Sequence, residues 1–227
     1  TKSLTKEKIK KILSLHELIH HRGPDDLGTY KNKNIFLVHK RLSIVDLKNG
    51  AQPLKNGKYV LIANGEIYND LELRKQLTDF NYKTNSDCES IIAVYSEYGI
   101  DGFKKLRGMY AFVLYDLLKK ELIMCRDPFG IKPLYFAVDK NNRNLVFCSE
   151  IKPIIESGFF EKKILKSKIF ELLQIQFNCG RETIYEKVLR LRPGEIVVIR
   201  NNKINKSKII PFDNLKKVVE IDQKNIK

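Results

Sequence analysis

Four short apolar runs, 109–115, 121–125, 134–138 and 145–148, follow one another with only Lys-, Asp- and Asn-rich turns between them. Runs this short and this closely spaced cannot be helices, and turns of that length can only send the chain back beside itself. They therefore predict an antiparallel meander. Further strands are expected over 35–38, continuing from His39 to Asp46, over 59–63 and over 195–200. Helical spacing of apolar residues predicts helices over 5–20, with Thr5 as N-cap, and over 69–80, 152–156 and 164–175. Ser86-Asp87-Cys88-Glu89 opens one more helix with a capping-box signature. Helices flanking many short strands make this an α+β layered domain. It spans residues 1–200, with a linker or tail over 201–227, where the pattern decays into Lys, Asn and Ile.

At 227 residues the chain can bury a large core, and its 10 tyrosines and 12 phenylalanines mark it as globular. The net charge of +15 raises the question of nucleic acid, but only 10 of the 42 basic residues are arginine. Lysines spread along the whole chain do not concentrate the planar forks that read phosphates and bases, so no nucleic-acid partner is expected. There is no apolar run long enough to span a membrane and no apolar signal core. Cys88, Cys125, Cys148 and Cys179 lie far apart, without zinc spacing, and read as buried reduced thiols of a cytoplasmic protein.

The chemistry is sought where polar groups meet strand ends. Asn64-Gly65-Glu66 is expected where the 59–63 strand stops, Arg41 follows the 35–38 strand, and Asp87 stands at a helix start. Taken singly, each has a plainer role as a turn residue, a surface ion-pair partner or a favourable charge at a helix N-terminus. Taken together they form a receptor for a free amino acid. A guanidinium grips a carboxylate by a two-point fork, and Glu66 and Asp87 would hold an ammonium. An Asn amide with a Gly N–H gives two donors to a developing oxyanion, worth about 3–4 kcal/mol each in related chemistry. That set suits attack on a side-chain carbonyl such as the amide of glutamine, yet it contains no nucleophile.

Six motifs in order carry a resemblance: His21-Arg22-Gly23-Pro24-Asp25, Arg41-Leu42-Ser43-Ile44-Val45-Asp46, Gly50-Ala51-Gln52-Pro53-Leu54, Asn64-Gly65-Glu66-Ile67-Tyr68-Asn69, Ser86-Asp87-Cys88-Glu89 and the stretch from Arg126-Asp127-Pro128-Phe129-Gly130 to Ile131-Lys132-Pro133-Leu134-Tyr135. Over residues 8 to about 200 the sequence resembles the glutaminase domain of glutamine-hydrolysing asparagine synthetase, a class II glutamine amidotransferase domain. The resemblance implies an N-terminal-nucleophile hydrolase-type αββα sandwich, with two mostly antiparallel sheets between helical layers. It also implies hydrolysis of L-glutamine to glutamate and ammonia for the ATP-dependent amidation of aspartate. By position, Arg41 would bind the α-carboxylate, with Leu42, Ile44 and Val45 lining the site. Glu66 and Asp87 would hold the α-ammonium, and Asn64 and Gly65 would form the oxyanion hole. No metal or cofactor is implied for this domain; ATP and magnesium belong to a synthetase half, whose Ser-Gly-Gly-x-Asp-Ser loop is absent from this sequence. The implied partners are L-glutamine, a synthetase domain or subunit that receives ammonia, and a second copy of the chain.

The sequence departs from the family at one position that matters. The family's nucleophile is an N-terminal cysteine that opens a Cys-Gly-Ile strand and uses its own α-amine as base. This sequence opens on Thr1-Lys2-Ser3 and runs into a lysine-rich helix. The expectation is therefore a piece lacking one short strand and inactive as it stands, with Thr1 not serving as nucleophile. The alternatives are a non-catalytic glutamine-binding or interaction domain, or an amidotransferase acting on another acceptor.

Overall fold

The computed structural model describes residues 4–43, 50–138, 144–201 and 203–210. In chain order the elements are α1 (Lys6–Leu15), a 3-10 helix (His16–Arg22), β1 (Asp26–Lys31), β2 (Phe36–Arg41), β3 (Leu54–Asn56), β4 (Tyr59–Ile67), α2 (Asp70–Gln76) and α3 (Glu89–Tyr98). A second 3-10 helix (Gly99–Lys105) leads to β5 (Gly108–Asp116), β6 (Glu121–Arg126), β7 (Tyr135–Val138), β8 (Leu145–Cys148), α4 (Ile151–Glu156), α5 (Lys166–Ile175), β9 (Val188–Arg190), β10 (Glu195–Arg200) and β11 (Lys203–Ile209).

The strands form two stacked layers. One is a six-stranded sheet in the order β11-β10-β6-β5-β4-β3; the other holds a β1-β2 hairpin and a three-stranded sheet β8-β7-β9. Every pairing between strands is antiparallel. Alternation along the central strands sends Leu61, Phe112, Leu114 and Ile123 to one face, where they pack under Ile91, Ile92, Val94 and Phe103 of the helical side. Ile62, Val113, Met124 and Val197 point the other way, onto Leu37, Phe136 and Phe147 of the second layer. Ile154 and Ile155 of α4 then cover the outer face of that layer, against Ala137 and Val188. The result is helix, sheet, sheet, helix. A strand buried on both faces reads as a near-continuous apolar run, which is how β5 and β6 look in the sequence.

Several boundaries differ from expectation for physical reasons. Thr5 does cap α1, its hydroxyl accepting from Lys8 N–H at 3.3 Å. The α-helix stops at Leu15, however, and tightens into the 3-10 helix. Gly23 follows because an added Cβ would lie 2.5 Å from the Lys40 carbonyl, so the chain grazes β2 there. β4 does not end at Ala63; its ladder with β5 runs on to Ile67 opposite Gly108. No capping box forms at α3. The Glu89 carboxylate instead accepts from Lys83 N–H, Thr84 N–H, Thr84 Oγ1 and Asn56 Nδ2. β1, β3, β9 and β11 were not foreseen. β11 is an edge strand exposed along its whole length, so its lysines and asparagines carry no apolar period; they guard an open edge. Residues 201–227 therefore do not begin as a tail, and 211–227 lie outside the described residues.

Candidate active site

A cleft of about 490 Å³ opens where β2, the far end of β4, the start of α3 and the end of β8 converge. Arg41, Leu42, Asn64, Gly65, Glu66 and Asp87 all line it. Six predicted residues from three separated stretches of sequence thus meet in one space. Ile44 and Val45 lie outside the described residues. Leu42 stands at the mouth, 56% exposed, whereas Arg41 is buried.

The outer edge of β4 explains why Asn64-Gly65 can serve as a donor pair. Along an antiparallel strand the backbone groups of alternate residues point to alternate sides. Ala63 N–H donates to Gln52 Oε1 at 2.6 Å, and Gln52 Nε2 donates back to the Ala63 carbonyl at 2.9 Å. Two pairs further on, Ile67 N–H donates to Asp87 Oδ2 at 2.6 Å. These contacts fix the outward-facing set as Ala63, Gly65 and Ile67. Gly65 N–H therefore opens onto the cleft, between a clamped neighbour and a capped one. A side chain cannot be tolerated there, since a Cβ on Gly65 would sit 2.2 Å from the Met109 carbonyl of β5. Asn64 and Glu66, one step out of phase, share the Ile62 face and reach into the same space.

Charged groups of both signs border the cleft. Arg41 ends β2 on the side that carries Leu37 and His39. Asp87 is buried, and desolvation pushes its carboxyl above the usual carboxylate range, with Asp70 adding to the rise and the bond from Ile67 N–H opposing it. An incoming ammonium would reverse that penalty. His39 donates its Nε2–H to the Ala63 carbonyl at 3.1 Å, and burial lowers its pKa to about 4, so the ring is neutral.

Two thiols line the cleft, Cys88 and Cys148. Burial raises the pKa of both, the opposite of what an attacking thiolate requires. Cys125 is likewise buried with its pKa raised, and Cys179 is exposed, contrary to the expectation of four buried thiols. All four are free. Among the described residues the second layer is also open along this cleft: β2 pairs only with β1, and β8 only with β7. Val38 and Lys40 of one edge and Phe147 and Cys148 of the other border the same space. The 3-10 helix spans the two, as His21 Nε2 and Arg22 Nη1 contact Glu150 Oε1 at 2.7 and 3.3 Å.

The Arg126-Asp127 motif proves to be scaffolding. Asp127 is fully buried, and its carboxylate accepts from the N–H groups of Tyr110, Phe129, Ile131 and Lys132 at 3.0 to 3.3 Å. Arg126 donates to the carbonyls of Lys132 and Leu191 at 2.7 Å and to that of Gly130. Together they fold the loop that delivers Lys132 and Leu134 to the cleft wall. Sequence reasoning gave no role to Gln52 or His39, although Gln52 stands inside one of the six motifs, in the loop leading to β3, and His39 lies two residues before another, at Arg41.

The sandwich and the cleft together define an amidotransferase type of N-terminal-nucleophile hydrolase fold. Among solved structures the chain is similar to glutamine phosphoribosylpyrophosphate amidotransferase from B. subtilis, with a TM-score of 0.55 and 23% identity over 81% of this chain and 36% of that one. A profile of the glutamine amidotransferase domain matches residues 1–210, and the chain belongs to that family. Its curated relatives include asparagine synthetase B [glutamine-hydrolyzing] of Escherichia coli (strain K12), 46% identical over 64% of this chain and 27% of that protein. Asparagine synthetase [glutamine-hydrolyzing] 1 of Bacillus subtilis (strain 168) is 36% identical over 83% of this chain and 30% of its own length. Amidase chry2 of Gibberella zeae is 36% identical over 87% of this chain and 30% of that protein. The chain thus spans about 30% of the length of such relatives.

Proposed function

We propose that this domain binds L-glutamine and, with an N-terminal cysteine in place, hydrolyses it to glutamate and ammonia. The observation that carries this reading is the meeting of Arg41, Asn64, Gly65, Glu66 and Asp87 on one cleft. The guanidinium takes the α-carboxylate, Glu66 and Asp87 take the α-ammonium, and the carboxamide oxygen points at Asn64 Nδ2 and Gly65 N–H. A thiolate adds to the carboxamide carbon, the two donors hold the oxyanion, and the nitrogen leaves as ammonia once it has gained a proton from the cysteine's α-ammonium. Water then cleaves the thioester to glutamate. No metal or cofactor takes part in these steps.

The described residues do not supply that cysteine, since Cys88 and Cys148 have the wrong ionisation and no α-amine. A strand bearing it would pair with the open edges of β2 and β8. The ammonia would pass to a synthetase domain or subunit that uses ATP and magnesium to amidate aspartate, in a cytoplasmic enzyme. The asparagine synthetases among the relatives favour aspartate as acceptor.

Calorimetry on this chain tests the receptor. L-glutamine should bind, D-glutamine should bind far more weakly, and Arg41→Ala should lose at least tenfold in affinity, about 1.4 kcal/mol. Absence of heat with L-glutamine, or an Arg41→Ala variant equal to the parent, would reject it. Ammonia release by a form beginning with Cys-Gly-Ile, lost on changing that cysteine to Ala, tests the chemistry.

A further inference from the structure

We infer that Gln52 and His39 are positioning residues for the oxyanion donors, acting through the backbone of Ala63. This rests on the reading of Asn64 and Gly65 as the groups that receive the carboxamide oxygen. β3 pairs with β4 only from Tyr59 to Leu61, so the outer edge of β4 loses its neighbouring strand just before the donors. The Gln52 side chain takes that strand's place. Its amide makes the two bonds a paired residue would make, Oε1 accepting from Ala63 N–H and Nε2 donating to the Ala63 carbonyl. The His39 ring adds a second donor to the same carbonyl.

The clamp is itself held. Gly28 pairs with His39 across the β1-β2 hairpin, and a Cβ on Gly28 would fall 1.7 Å from the Gln52 carbonyl. The Gln52 backbone therefore lies directly on the hairpin, and its side chain bridges from there to β4. On the far side of Gly65, Asp87 holds Ile67 N–H. The donor N–H thus sits between two tethered backbone groups, with its direction set by both. Asp87 does two jobs in this arrangement; the hydrogen bonds of the Gln52 amide and the His39 ring among the described residues go to Ala63, although both residues also border the cleft, and the Nδ1 of His39 is buried without a hydrogen-bond partner there. Since Nε2 carries the hydrogen for Ala63, Nδ1 carries the lone pair.

The consequence is selective. Loosening the clamp should harm recognition of the side-chain carbonyl and leave the amino-acid head group alone. L-glutamine and L-glutamate present an oxygen to the donors, and L-norvaline has the same head group without one. In Gln52→Leu, glutamine and glutamate should bind about threefold to tenfold more weakly, the value of one lost hydrogen bond, while norvaline binds as in the parent. His39→Leu should show the same pattern with a smaller shift, and His39→Gln, which can still donate to Ala63, should restore it. If Gln52→Leu does not fold, the His39 pair carries the test. In the parent, the Gly65 amide resonance should move on glutamine binding and stay still with norvaline.

Equal weakening of all three ligands in the clamp variants would show general loosening and overturn the inference, as would unchanged affinity for all three. Failure of the parent to bind glutamine would instead reject the receptor itself, and the positioning role with it.

Discussion

The Arg126-Asp127 loop and the Asn64–Asp87 cleft are built from the same kinds of residue and do opposite things. Each has an arginine, a buried aspartate and a closely packed glycine. In the loop every polar group is consumed at home. Asp127 accepts four backbone N–H groups and Arg126 is spread over three carbonyls. In the cleft the tethers stop one group short: Ala63 and Ile67 are held, and Gly65 between them opens onto space. A buried carboxylate is therefore a poor guide to function by itself. The number of backbone donors it satisfies decides whether it is a scaffold or a receptor.

The largest effect is expected on the scaffold side. Asp127→Ala leaves four backbone N–H groups, that of Tyr110 buried and the other three part-buried, without their acceptor and should cost about 3–5 kcal/mol by urea denaturation. A loss below about 1 kcal/mol would mean that the loop does not depend on the carboxylate, and the contrast would fail. Next comes Gly65→Ala, where the new methyl group meets the β5 backbone and the two central strands must part. That should cost about 2–3 kcal/mol and abolish glutamine binding together. A stable Gly65→Ala variant that binds glutamine normally would show that Gly65 N–H does not face the ligand.

Asp87→Asn separates the two regions most cleanly. Burial already disfavours the Asp87 charge, and an amide oxygen can still accept from Ile67 N–H. Stability at neutral pH should thus hold or rise slightly, while glutamine affinity falls about thirtyfold, roughly 2 kcal/mol, because a charged partner of the ammonium is gone. The parent has a matching pH signature. A raised carboxyl pKa means that Asp87 takes up its proton earlier as the pH falls, so glutamine binding should weaken there and release a proton. Calorimetry in buffers of different ionisation heat measures that release. Equal heats in all buffers across the acid limb would remove Asp87 from the ammonium site.

How much of this could be read in advance follows from the same physics. The layered α+β architecture was legible because β5 and β6 are buried on both faces and so run apolar without a break. β11 was not, since an exposed edge strand of lysines and asparagines has no burial to imprint a period. The residues that meet on the cleft were legible as chemistry, a guanidinium, an amide and two carboxylates near strand ends. The continuation of β4 through Asn64-Gly65-Glu66 was not, because Gly and Asn are weak strand residues whose pairing with β5 comes from tertiary contact. Gln52 and His39 were hidden for a different reason. Their part is played on the backbone of Ala63, a residue whose own side chain has no chemistry, and nothing in the sequence marks which backbone a side chain will hold.

The smallest expected effect bears on that clamp. His39 has a folded-state pKa of about 4 against an ordinary value of 6.5, lowered chiefly by burial and further by Arg41. The unfolded chain therefore takes up a proton at this ring before the folded protein does, so stability is lost as the pH falls below 6.5 and the loss levels off below about 4. The full gap would be worth up to about 3 kcal/mol, and partial solvent access to the ring brings the expectation to about 1–2 kcal/mol. Urea midpoints for the parent and His39→Gln, compared at neutral pH and near pH 4, isolate the term because every other titrating group is common to both. The parent should lose more stability than the variant over that range. Parallel acid limbs would mean that His39 takes up its proton as readily in the folded protein as in the unfolded chain, so that burial does not hold the clamp ring neutral.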